Sequence, residues 1–170
     1  MPDTLADFER LFRRTYADVH RYCARRCASP EDAEEATTDV FAIAWRRRSE
    51  VPAEPEDRLW LFGVARHVVR NQARSAQRRD RLATRLRDAA AVAPATTAPA
   101  ATGTVARALH ALSDADRELL LLAGWEGLAP AEIARVLGVP APVVSRRLHR
   151  ARRRFAHVLA AARRHATATA

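Results

Sequence analysis

Apolar residues recur three and four positions apart along most of this chain, the spacing of helices with one buried face, and no sheet is expected. Thr4 stands as a cap before a first helix from Leu5 to Cys27, whose apolar stripe takes in Phe8, Leu11, Phe12, Val19 and Tyr22. Ser29, Pro30 and Asp32 supply a cap, a first-turn proline and a first-turn acid, so a second helix is predicted over Pro30 to Arg47. Its buried face should hold Ala33, Ala36, Val40, Phe41, Ala44 and Trp45. Pro52 and Pro55 make Ser49 to Glu56 a loop. A third helix then runs from Asp57 through at least Arg79 and toward Arg87, with two different faces. Leu61, Phe62, Ala65, Val68, Val69 and Gln72 share one side, a core stripe. Trp60, Val64, His67, Asn71, Arg74 and Arg78 share the other, which mixes an aromatic, hydrogen-bonding groups and cations. That mixture suits a nucleic-acid strand, gripped by stacking, base-edge bonds and phosphate contacts. A solvated basic face with Trp60 turned into the core is equally compatible with it.

Periodicity stops at Ala89. The stretch from there to Gly103, rich in alanine, threonine and proline, is expected to be a flexible linker. A short helix over Val105 to Leu112 follows, then one capped by Ser113 over Asp114 to Trp125, and then a helix-turn-helix from Pro130 to Leu159. Within the last, Ile133, Ala134, Leu137, Gly138, Val139, Val144 and Leu148 have the required spacing. Ala134 is small where two helices cross, and Gly138 sits where the chain leaves the first helix with positive φ. The second helix carries Arg146, Arg147, Arg150, Arg152, Arg153 and Arg154, as expected of a helix presented to a major groove. An ordinary helical hairpin with a solvated basic face is the plainer alternative. Arg163 to Ala170 is expected to fray. The expected fold is all-α: two small helical domains, 1–88 and 104–170, joined by the linker 89–103, the second a helix-turn-helix.

Charge sharpens this picture. The chain has 170 residues, a formal net charge of +9 and a pI near 11.2, so a polyanion is the expected partner. There is no apolar run of spanning length and no leader-like start, so nucleic acid is favoured over a membrane and a cytoplasmic location is expected. All 29 basic side chains are arginine, a bias that follows genome base composition rather than phosphate recognition. His20, Cys23 and Cys27 lie on one helical face, but a structural zinc site wants four ligands and no fourth is evident; core packing accounts for both cysteines. Glu31, Asp32, Glu34, Glu35 and Asp39 could in principle hold Mg²⁺. With five glycines, no phosphate-cradling loop and no nucleophile beside a base, however, no enzyme, metal, cofactor or small-molecule substrate is expected.

Four segments, "FERLFRRTYADVHRYC", "SPEDAEEATTDVFAIAWRRR", "LWLFGVARHVVRNQARSAQRR" and "LHALSDADRELLLLAGWEGLAPAEIARVLGVPAPVVSRRLHRARRRF", resemble in order and spacing the bacterial RNA polymerase sigma factors of the extracytoplasmic-function type, in the sigma-70 family. The resemblance covers nearly the whole chain. It implies a first domain that docks on core RNA polymerase and melts the minus-ten promoter element, and a second that reads the minus-thirty-five element as duplex. An anti-sigma factor is a further partner of such proteins.

Carried over by position, Asp32, Glu34, Glu35, Thr38 and Asp39 correspond to the polymerase-docking surface, with Thr38 and Asp39 where the family usually has glutamine and glutamate. An acid-rich face is complementary to cations on a partner, although carboxylates also suit the N-terminal half of any helix. The loop Ser49 to Asp57, including Val51, together with Trp60, Val64, His67, Asn71, Arg74 and Arg78, corresponds to the part that captures an unstacked base of the melted strand. Val51 stands where an aromatic often sits, His67 where asparagine is usual, and Gly63 replaces a frequent arginine. Ser145, Arg146, Arg147 and His149 match positions that contact the upstream element, while Arg150, Arg153 and Arg154 are placed to reach phosphates. Pro140 and Pro142 flank Ala141 where relatives have a serine cap and a glycine, which a first helical turn tolerates. The alternative function is a two-domain transcription regulator that binds an operator without polymerase.

Overall fold

A computed structural model describes residues 4–88 and 103–168, and side chains throughout these except at 80, 82–88 and 165–168. The chain divides into two compact units, Met1–Pro99 and Ala100–Ala170. All regular structure among the described residues is helical. The linker expected at 89–103 lies outside the described residues, apart from Gly103.

Unit 1 holds α1 (Leu5–Ala24), α2 (Pro30–Arg46) and α3 (Glu56–Asp88), each packed on the other two. Thr4 and Asp7 close a reciprocal capping box at the start of α1: the Thr4 hydroxyl accepts from the Asp7 N–H at 3.1 Å, and the Asp7 carboxylate accepts from the Thr4 N–H at 3.3 Å. α1 stops three residues short of the expected Cys27. Ser29 must be extended, both as the residue before Pro30 and as the cap of α2, where its hydroxyl accepts from the Asp32 N–H at 3.0 Å. The expected α2 core is buried, with one correction at Trp45, which is 38% exposed and meets Phe8 edge-on at 5.0 Å. A short 3₁₀ turn, Arg48–Glu50, occupies the start of the expected loop. The core closes where Tyr22 of α1 stacks on Phe62 of α3 at 5.2 Å, beside the fully buried Val19 and Cys23.

Unit 2 holds α4 (Thr104–His110), α5 (Asp114–Gly124), α6 (Pro130–Leu137) and α7 (Ala141–Ala168). α4, α5 and α6 all pack against α7. Ser113 caps α5, and Arg117 reaches back to donate to the carbonyls of Leu109, His110 and Leu112 at 3.0–3.2 Å, satisfying oxygens that the end of α4 leaves open. Gly138 adopts φ 66°, ψ 36°, the left-handed cap that lets α6 turn into α7 within three residues. Pro140 does not hinder α7: its carbonyl accepts from the N–H groups of Val143 and Val144. The fraying expected from Arg163 does not occur before Ala168, because the alanine-rich run after Leu159 has high helix propensity and no Gly or Pro to stop it.

Candidate nucleic-acid and partner interfaces

The acidic positions of α2 lie opposite its core stripe of Ala33, Ala36, Val40 and Ala44. Glu34, Glu35, Thr38 and Asp39 are exposed and Asp32 is half-buried. Thr38 donates its hydroxyl proton to the Glu34 carbonyl at 3.0 Å. Among the described residues no ion pair neutralises these four carboxylates, so the face carries its full charge within a cationic chain.

The candidate strand-binding residues of unit 1 divide into two groups. His67, Asn71, Arg74 and Arg78 are exposed along one line of α3, at spacings of four, three and four. Trp60 heads that line half-buried, with the Arg47 guanidinium 5.5 Å from its ring centroid. Arg47 is itself held by Glu50, at 3.1 Å from Nε to Oε1. Val51 and Val64 are core residues instead, 0% and 8% exposed, and cannot offer side chains to a base. The reason is that α3 is covered by both α1 and α2, so its buried arc is wider than the single stripe read from the sequence, and Val51 fills the space beside that arc.

The start of α3 is tied to α1 by charge. Arg14 pairs through one guanidinium nitrogen with Glu54 in the loop and through the other with Asp57, whose residue is only 3% exposed. One turn along α1, Asp18 accepts from Arg58 Nε at 2.6 Å. Burial works against the Arg14 charge, but the carboxylates of Asp57 and Glu54 outweigh it and raise the guanidinium's pKa. Nothing in the sequence singles out these pairs, which join residues about forty positions apart.

In unit 2 the helix-turn-helix core has Ile133, Ala134, Val144 and Leu148 buried as expected, while Leu137 is only half-buried and Val136 is buried beside it. Ser145, Arg146, Arg147, His149, Arg150, Arg153 and Arg154 are all exposed. Arg146, Arg150 and Arg153 share a line opposite the buried Val144, Leu148 and Ala151. Ser145 donates to the Ala141 carbonyl at 3.2 Å. Arg154 is drawn aside, its Nη1 lying 2.6 Å from Asp116 in the first turn of α5.

Cys23 lies in the core, and Cys27 is half-buried with its thiol 3.9 Å from Gln72 Oε1. Burial pushes the Cys27 thiol up to about 12, with Cys23 and Asp32 adding to the effect, so it stays protonated at neutral pH. His20 stacks on Tyr16 at 5.9 Å. Among the described residues no group of three His, Cys, Asp or Glu is placed to hold a metal ion, and no helix is long and apolar enough to cross a membrane.

Comparison with known proteins gives two matches in chain order. Residues 11–79 match the family model of sigma-70 region 2, and residues 103–155 match that of sigma-70 region 4. The chain is 29% identical to the ECF RNA polymerase sigma factor SigM of Mycobacterium tuberculosis over 152 residues, which is 89% of this chain and 76% of that protein. Its fold is similar to that of the sigma factor RpoE from Bartonella quintana, solved with the anti-sigma factor NepR, at a TM-score of 0.70 and 22% identity, covering 91% of this chain and 98% of that one. CnrH, solved with the cytosolic domain of CnrY, aligns at a TM-score of 0.67 and 22% identity over 94% of this chain and 91% of that one.

Proposed function

The chain belongs to the sigma-70 family of bacterial RNA polymerase sigma factors, and from that premise we propose that it acts as an extracytoplasmic-function sigma factor, binding core RNA polymerase and directing promoter-specific transcription initiation. The observation that carries this reading is the pairing of regions 2 and 4, in order, with two compact helical units. We assign residues 1–88 to polymerase docking and minus-ten melting, residues 89–103 to the connection, and residues 104–170 to minus-thirty-five recognition.

In this reading the uncompensated carboxylates Glu34, Glu35 and Asp39, with Thr38 and Asp32, meet cations on the polymerase. Trp60, His67, Asn71, Arg74 and Arg78 hold the melted strand, the aromatic and hydrogen-bonding groups toward an extruded base and the arginines toward phosphates. Val51 and Val64 support that surface from beneath. On α7, Ser145, Arg146, Arg147 and His149 face base edges in the major groove, while Arg150 and Arg153, and Arg154 to the extent that Asp116 releases it, face phosphates. The protein acts in the cytoplasm as an initiation factor and is not itself an enzyme. An anti-sigma factor is a further partner, as in the complex of RpoE with NepR.

Run-off transcription with purified core polymerase over a fragmented genomic library tests this. A discrete set of start sites that depends on both the chain and core polymerase is the expected result. Tight sequence-specific DNA binding by the chain alone, with no gain from polymerase, would instead identify an operator-binding regulator.

A further inference from the structure

The segment between the 3₁₀ turn and α3 is short, rich in proline and mostly exposed, yet it is fastened at three points. Val51 is fully buried at its start, the Glu56 N–H bonds the Ala53 carbonyl at 3.0 Å, and Arg14 of α1 takes Glu54 with one nitrogen and Asp57 with the other. A guanidinium is suited to this, since its rigid fork fixes two acceptors relative to each other and a point charge does not. Asp57 also accepts from the Arg58 N–H at 2.7 Å. Without Arg14, a carboxylate that is almost entirely buried would lose its one ion-pair partner among the described residues, an arrangement that favours movement of the backbone carrying it.

We infer that Arg14, which lies on α1 and outside the candidate strand-binding face of α3, is a positioning residue for minus-ten recognition: it holds the loop from Val51 to Glu56 in the one conformation that places Trp60 and the exposed face of α3 beside an extruded base. This rests on the reading of that loop and face as the melted-strand site. A pocket for a flipped base must be formed before the base arrives, because unstacking already costs a few kcal/mol and a loose loop would add an ordering cost. Asp18 supplies the contrast. Its bond to Arg58 joins the same two helices, at 2.6 Å, but reaches no loop residue.

Holoenzymes assembled with wild type, Arg14→Gln, Arg14→Lys and Asp18→Asn would transcribe a pooled promoter library randomised across the minus-ten element, with core binding and thermal melting measured alongside. Arg14→Gln is expected to bind core as wild type does while its discrimination between minus-ten bases falls about tenfold, the size of one lost base contact. Arg14→Lys should fall between the two, holding one carboxylate but not both. Asp18→Asn should melt earlier yet keep the wild-type base profile. Equal loss of discrimination in Arg14→Gln and Asp18→Asn would overturn the inference by reducing it to general loosening of α1 on α3. A wild-type profile in Arg14→Gln would overturn it too, leaving the minus-ten reading intact. A wild type that shows no base preference would remove both.

Discussion

The two units distribute their charges in opposite ways. In unit 1 the arginines of α1 lie against carboxylates: Arg10 on Asp7, Arg13 on Glu9, Arg14 on Glu54 and Asp57, and Arg21 on Asp18. Among the described residues the acids of α2 have no such partners. In unit 2 Asp114 is engaged by Arg117, Asp116 by Arg154 and Glu132 by the Ala129 N–H, and Glu118 and Glu126 are not without partners. The arginines from Arg146 to Arg153 are left to solvent. One unit therefore offers free negative charge on α2 and the other free positive charge on α7. Net charge alone, at +9, conceals this, since it is the uncompensated groups that set the local field met by a partner.

The strongest test of that contrast reverses the free acids. Glu35→Arg combined with Asp39→Arg should abolish co-purification with core polymerase while leaving helicity by circular dichroism unchanged, because both side chains are exposed on the face of α2 opposite its core. A folded double mutant that still binds polymerase would refute the docking assignment.

Next in size is the other exposed surface of unit 1, the line of His67, Asn71, Arg74 and Arg78 along α3. His67→Ala and Asn71→Ala should leave docking and closed-complex formation intact and reduce open-complex formation, read by permanganate footprinting. The defect should shrink on a template with a pre-melted bubble, where the few kcal/mol of unstacking no longer fall on the protein. Footprints equal to wild type on both templates would mean that these residues only decorate a solvated helix.

Local signals made much of this legible in the sequence. Thr4, Ser29, Ser113 and Gly138 mark element boundaries through bonds and dihedrals that reach three or four residues, and the α7 register follows from the apolar spacing of Val144 and Leu148. What depends on a second or third neighbour was not legible. Val51 and Val64 are buried where α3 packs on two helices, Trp45 stays part-exposed with Phe8 and Arg48 as its ring neighbours, and Arg154 is turned aside by an acid on another helix. Single-helix periodicity carries no information about how many partners a helix has.

Smaller effects are expected on α7. Replacing Arg147 by alanine should relax preference at one position of the upstream element by ~1–3 kcal/mol if it forks onto a guanine, with other positions unchanged. Arg153→Ala should weaken all sequences alike and lower the slope of log affinity against log salt by about 0.9, the signature of one phosphate contact. Identical profiles for the two variants would erase the division between base-reading and phosphate-binding arginines.

The least effect belongs to Arg154, where the contrast between paired and free arginines is sharpest. Its side chain is 61% exposed and that of Asp116 is 11% exposed, so screening limits the ion pair to roughly 0.2–1 kcal/mol of coupling in a double-mutant cycle. Because the guanidinium is already engaged, Arg154→Ala should change the salt slope of duplex binding far less than Arg153→Ala does. Asp116→Asn should do the reverse of a loss: it frees Arg154 while conserving shape, so thermal stability falls slightly and the salt slope steepens by up to about 0.9 as one more cation reaches the phosphates. If Asp116→Asn leaves the slope untouched and Arg154→Ala lowers it as much as Arg153→Ala, then Arg154 contacts DNA in spite of its partner, and the acid on α5 serves only to orient the helix.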